Sequence, residues 1–186
     1  EPLSRQPGDL SKLGTPDFHR DGRLPYALEY MRLRRDRFRS MPLGGTFCAI
    51  FSLAVGLRGY LDLIRDMRRR PDFVRELFTF ITDLVLIPYL EVQKEYCGIE
   101  AAHGADAWAC VPNLSVREMK EWLVPWNRQL AEKAGRLGVS VTAGTGDYSE
   151  EDAGKFDAEV LHGAFDVQIA CRGGAALSLG MGRWHE

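Results

Sequence analysis

No apolar run in this chain reaches the ~18 residues that a membrane-spanning helix needs. The longest candidate, Leu84 to Leu90, is short and interrupted by Pro88. No signal-peptide pattern opens the sequence, so a cytoplasmic chain is expected. The charge balance is nearly even, at −2 with a pI near 6.1. No global field therefore points to nucleic acid or an anionic membrane as partner. The four cysteines, Cys48, Cys97, Cys110 and Cys171, form no CxxC pair. Such usage predicts free, buried thiols in a reducing compartment. No two of the four histidines stand at metal-ligand spacing, and neither a Ser-His-Asp set nor a paired carboxylate can be read. Repeats and low-complexity tracts are absent too.

What is present is an ordinary globular composition. Hydrophobic residues make up 45% and charged residues 27% of 186 positions, which suffices for one sizeable core. The chain begins at Glu1, and part of a longer protein is expected. Residues 1–22, rich in Pro, Gly and Asp, read as an irregular lead-in. From Pro25 to Arg39 the apolar positions Leu24, Ala27, Leu28, Met31 and Phe38 mark one helical face. Leu43 to Ile50 is a compact apolar run that predicts a buried strand leading into a helix. Helices follow over Tyr60–Arg69 and Asp72–Tyr96, separated at Arg70-Pro71 because proline clashes with the preceding turn. The arginines at 32, 34, 35, 37, 39 and 68–70 fit solvated helix faces.

His103-Gly104 is expected to close this helical region, with Ala105–Val111 as the second strand and Trp108 in the core. Ser115-Val-Arg-Glu118 spells a capping box, and its helix runs to Leu137 with a kink at Pro125. Val139–Ala143 is a third strand, Ser149–His162 a helix, and Phe165–Ala170 a fourth strand. Residues 23–172 thus form βα units, and 173–186 are loop-like, in one domain. Strands about 30 residues apart with helices between them predict a parallel sheet. An open doubly wound sheet and a sector of a (β/α)8 barrel both satisfy this order.

In either architecture ligands bind at the carboxyl ends of the strands. Candidates there are Thr46, Phe47 and Cys48 after the first strand, and Pro112, Asn113 and Ser115 after the second. The third strand leads into Gly144-Thr-Gly-Asp-Tyr148, which puts Thr145, Asp147 and Tyr148 at that edge. Such a turn is suited to cradling an anion on its amides, or to capping the next helix through Asp147 or Ser149. Arg172, beside two glycines after the fourth strand, could clamp a carboxylate or form a surface ion pair. Cys171 reads as packing unless a His or carboxylate converges on it. His103 and His162, placed at helix ends, need no catalytic role, because helix C-termini favour the protonated ring.

An ordered series of motifs is similar to a known family. Pro16-Asp-Phe-His-Arg-Asp-Gly-Arg-Leu-Pro25 resembles a "PDP…DGR-P" segment of uroporphyrinogen decarboxylase-like proteins, above all their cobamide-dependent methyltransferase branch. Gly56 to Val74 resembles the family's "G…LL.D….P..V" stretch, Gly104-Ala-Asp106 its "GAD" strand, and Ser115 with Trp122-Leu-Val-Pro125 its "S…F…P" helix. The resemblance spans residues 10–170. It implies a (β/α)8 TIM barrel, of which this chain covers only part, since a complete barrel takes about 250 residues.

The implied activity is corrinoid-linked methyl transfer, with a methylcobamide or methylated small molecule received at the barrel mouth. A corrinoid protein is the implied partner, and a homodimer a possible assembly. Tetrapyrrole decarboxylation and a non-catalytic corrinoid- or partner-binding barrel are the alternatives. Zinc-bearing members carry His-x-Cys-Gly where this chain reads Val141-Thr-Ala-Gly144, so a zinc site is not expected. The arginine-rich "RQAGRY" segment of the decarboxylases is not found either.

Overall fold

The computed structural model describes residues 7–40, 43–110, 112–145, 169–170 and 176–177. After a 3-10 turn at Pro7–Lys12, the DGR-P segment folds into a tight turn. Asp21 Oδ2 accepts from the Asp17 amide at 2.8 Å, and Asp17 Oδ1 from the His19 amide at 3.0 Å. Gly22 stands at φ +56°, and buried Phe18 stacks on Tyr89 at 5.2 Å. These residues launch helix α1 (Leu24–Arg37), where Pro25 fits the first turn because that position needs no amide donor. Leu28 and Met31 are its buried face. Phe38, expected on that face, lies past the helix end and is exposed.

Strand β1 (Gly44–Cys48) is followed at once by α2 (Ile50–Arg58), then α3 (Tyr60–Arg69) and α4 (Pro71–Phe80). The break at Arg70-Pro71 falls as the sequence predicts. A π-helical turn, Ile81–Leu86, joins α4 to α5 (Ile87–Cys97). It ends two residues before Pro88, which lacks an amide donor and crowds the carbonyl one turn back; a widened turn accommodates both. The arrangement recurs. The capping-box turn α6 (Val116–Glu118) passes through a second π-helical turn, Met119–Leu123, into α7 (Val124–Arg136), which holds Pro125.

Strand β2 is Ala101–Asp106, and β3 is Ser140–Thr145. The predicted strand at Ala105–Val111 is therefore misplaced. Residues 107–110 are turns, and His103 sits mid-strand rather than at a helix end. Strands β1, β2 and β3 pair in that order, all parallel. Of the predicted fourth strand, Ile169–Ala170 (β4) are described; they pair antiparallel with Ala176–Leu177 (β5) in a separate ladder, where a loop was expected. The helix at Ser149–His162 lies outside the described residues.

Among the described residues, helices cover one face of the parallel sheet and leave the other bare. Along β1 and β2 exposed and buried residues alternate strictly. Phe47, Ala102, Val141 and Ala143 turn toward the helices, where Phe78 meets Phe51, Trp122 and Trp126 edge to face. A doubly wound sheet would be covered on both faces. Helices on one face alone are the arrangement of a barrel sector, whose bare face is the lumen. Gly104 belongs to this packing: a Cβ there would stand 2.4 Å from the Phe47 ring.

Arginine is also used inside the molecule. Asp66, 1% exposed, accepts from Arg58 Nε at 2.7 Å and from Arg70 Nη2 at 2.6 Å. Arg70 is thus no free surface charge, whereas Arg32 and Arg35 form surface pairs with Glu29 and Asp36, as a solvated face would.

Candidate active site

The register of the three strands sorts the lumen face into rows. Gly44, Ala101 and Ser140 are level with one another, then Thr46, His103 and Thr142, then Cys48, Ala105 and Gly144. Every side chain in these rows is small or polar, and His103 is the largest. Its Nδ1 lies 2.9 Å from Thr142 Oγ1. A Cβ on Gly144 would stand 3.1 Å from His103 Nε2, so the glycine keeps the space beside that nitrogen open. Cys48 is exposed here, contrary to the expectation of buried thiols, while Cys97 is buried and Cys110 half-buried. Burial around the Cys48 thiol and the nearby Asp106 charge both push its pKa up.

At the carboxyl edge Asp106 ties β2 to the first turn of α2. Its Oδ1 accepts from the Ser52 amide at 2.8 Å and the Ser52 hydroxyl at 2.7 Å. That places a carboxylate at a helix N-terminus, where aligned amides favour negative charge. Burial outweighs this help: the carboxyl is fully enclosed and its pKa is pushed up to about 6, against the pull of the Ser52 and Phe51 groups. Oδ2 has no hydrogen-bond partner among the described residues.

Trp108 follows in the turn. Its amide donates to Ser52 Oγ at 3.3 Å, and its ring stacks on Tyr60 at 5.3 Å and 29°. It is 43% exposed, not a core residue as predicted, because the strand ends two positions earlier. The Tyr60 hydroxyl donates to the Asn113 carbonyl at 2.9 Å. The edge therefore presents an open, flat indole held from behind by a tyrosine.

Of the predicted site residues, Asn113 is in this cluster, with its side-chain amide donating to Cys110 Sγ at 3.4 Å. Thr145 is the last residue of β3. Asp147, Tyr148 and Arg172, like Cys171, lie outside the described residues. The sequence reading missed His103, Asp106, Trp108 and Tyr60 as site residues. The available signal was Asp106 itself: a strand ending there puts His103 on the opposite face from the buried carboxylate. A separate surface cavity of about 680 Å³ is lined by residues of the helices and the Ser115 cap, including Arg68, Arg75, Arg117 and Trp122.

The profile of the uroporphyrinogen decarboxylase (URO-D) family matches residues 1–162. The chain belongs to that family. None of the curated proteins matches it. Among solved structures, a methyltransferase from Methanosarcina mazei has the same fold, with a TM-score of 0.65 at 17% identity. The superposition covers 73% of this chain and 40% of that one. The chain is accordingly part of a URO-D-type TIM barrel, and the bare sheet face is part of its interior wall. Among the described residues no helix is long and apolar enough to cross a membrane.

Proposed function

We propose that this chain forms part of a URO-D-family enzyme of the methyl-transfer kind, which takes a methyl group from a methylcobamide or a methylated small molecule. The observation that carries this reading is the Pro16–Pro25 segment, which resembles the cobamide-dependent branch and launches α1. The fold shared with a methanogen methyltransferase is in keeping with it. The methylcobamide is the substrate in this reading and would supply an electrophilic methyl carbon. The chain's own part is to receive it at an open mouth, with the exposed Trp108 ring as a flat surface against which a planar macrocycle can stack.

A zinc ion of the kind found in this branch does not fit the residues of β3. Ser140, Thr142 and Gly144 face the lumen, Val141 and Ala143 face the helices, and none of these carries a metal-binding side chain of the His-x-Cys kind. Among the described residues no three His, Cys, Asp or Glu side chains converge.

The test is demethylation of methylcobalamin by the full-length protein with a thiol or tetrahydrofolate acceptor, followed by the change in corrinoid absorbance. Turnover is expected with one acceptor, and none with any of them would defeat the reading. A second reading, tetrapyrrole decarboxylation, is favoured by the family match itself over residues 1–162. Conversion of uroporphyrinogen to coproporphyrinogen would establish it in place of the first.

A further inference from the structure

The interior of a (β/α)8 barrel is ordinarily filled by layers of bulky branched side chains. Here the three rows on the lumen face hold glycine, alanine, serine, threonine and cysteine around one histidine. Such rows contribute little side-chain volume to the lumen from these three strands. Their polar groups also have one character. Thr46, Ser140 and Thr142 bring hydroxyls that can donate, His103 brings a ring nitrogen, and no carboxylate stands in the rows. The one buried carboxylate nearby, Asp106, turns to the helix side. His103 is held by Thr142 at Nδ1, while Nε2 faces the gap kept by Gly144.

We propose that His103 is the centre of an oxyanion subsite inside the barrel, where Nε2–H donates to a carboxylate, phosphate or sulfonate group of a small-molecule ligand. Thr142 is the positioning residue. Its hydroxyl accepts from or donates to Nδ1 and so fixes the ring plane, and Gly144 supplies the space for the anion. Donation to an anionic oxygen is the stronger kind of hydrogen bond, and the absence of carboxylates from the three described rows spares the ligand like-charge repulsion there. The proposal deepens the methyl-transfer reading and rests on it only in taking the sheet face as the ligand side. It is indifferent to which bond the enzyme breaks.

Inorganic phosphate and malonate serve as probes on the full-length protein. Diethyl pyrocarbonate modifies accessible imidazoles, and peptide mass spectrometry reports each histidine separately. His103 should be modified in the free protein and protected at least fivefold by either anion, with His19 unaffected. Calorimetry should show phosphate binding weakened at least tenfold in His103→Gln, and also in Gly144→Ala, whose methyl group would stand 3.1 Å from Nε2 and take the space beside it while the imidazole is retained. Thr142→Val should weaken binding and Thr142→Ser restore it.

A His103 that is inert without any anion would mean a packed lumen and overturn the proposal. Equal modification with and without anion, or unchanged binding in His103→Gln and Gly144→Ala, would overturn it as well. Both readouts are independent of turnover. Absent methyl transfer with intact protection removes the reaction and keeps the subsite; turnover without protection does the reverse.

Discussion

Asp106 joins three facts at one residue: full burial, a hydrogen-bonded Oδ1 and an unpartnered Oδ2. Its carboxyl titrates near 6 in the folded chain against an ordinary 3.8. Above pH 6 the folded state thus holds a buried charge that the unfolded chain solvates freely. As pH falls from about 6 to about 4 the folded state takes up its proton first, so this group adds stability on acidification and loses it as pH rises through that window. At about 1.4 kcal/mol per unit the effect is on the order of 1–3 kcal/mol. Asp106→Asn is neutral throughout and can still accept from Ser52. Its melting temperature plotted against pH should be flatter than the wild type's between 4 and 6, other groups cancelling in the difference. Parallel curves would show that Asp106 does not titrate there. The same substitution should ease ionisation of Cys48, which the Asp106 charge opposes, and speed its alkylation near neutral pH. At this scale the sequence was legible where the signal is local. Ser115 and Glu118 form the reciprocal capping box their spacing announces. His103 and Trp108 were misread because their roles depend on where a strand ends. Ala101-Ala-His-Gly-Ala-Asp106 has no β-branched residue to mark that strand.

Among the elements, helices were the more readable class. Tyr60–Arg69 falls on the predicted residues, and the 71–97 helical stretch was seen as one piece. Its π-helical turn was not foreseen, nor was the one before Pro125 beyond the expected kink. Proline announces that the ladder must change, but not whether the helix bends, ends or widens. The tie among α2, α3 and the start of α4 was equally hidden, since a run of arginines looks solvated until a buried acid is found among them. Asp66 is that acid. Removing it takes from Arg58, 5% exposed, the carboxylate at 2.7 Å from its Nε, while Asp62 stays at 3.5 Å from Nη1. Loss of one partner of a buried pair costs about 3–5 kcal/mol. Urea denaturation of Asp66→Ala should show a loss in that range at an unchanged m-value. Asp66→Asn, which keeps a hydrogen-bond acceptor, should lose less. A loss under about 1 kcal/mol would mean that this cluster does not hold the three helices together.

For the whole molecule the open question was which parallel architecture the βα order builds, and no local pattern could decide it. Both candidates use the same strands and helices; they differ in whether one face of the sheet or both are covered. The barrel answer creates a problem at the sheet's margin, since β1 has only β2 as a strand neighbour among the described residues. Alternate residues of a strand turn their N–H and C=O toward the same neighbour. Ala49 donates to Ala105 of β2, so Thr46, three residues earlier, turns its peptide groups away from β2. Gln93 of α5 meets both: its Oε1 accepts from the Thr46 amide at 3.1 Å, and its Nε2 donates to the Thr46 carbonyl at 3.2 Å. Gly45 makes the approach feasible, as a Cβ there would lie 2.8 Å from Oε1. A fully buried glutamine thus does at one point what a neighbouring strand would do along the whole edge. Gln93→Leu keeps the volume and removes both bonds, stranding two backbone groups at a cost of about 1–3 kcal/mol each. The variant should unfold at lower denaturant concentration. If Gln93 also guards the margin, sedimentation velocity of this chain should show more self-association in the variant than in the wild type. Unchanged stability would show that water serves Thr46 as well as Gln93 does, and that the edge is guarded by something other than this side chain.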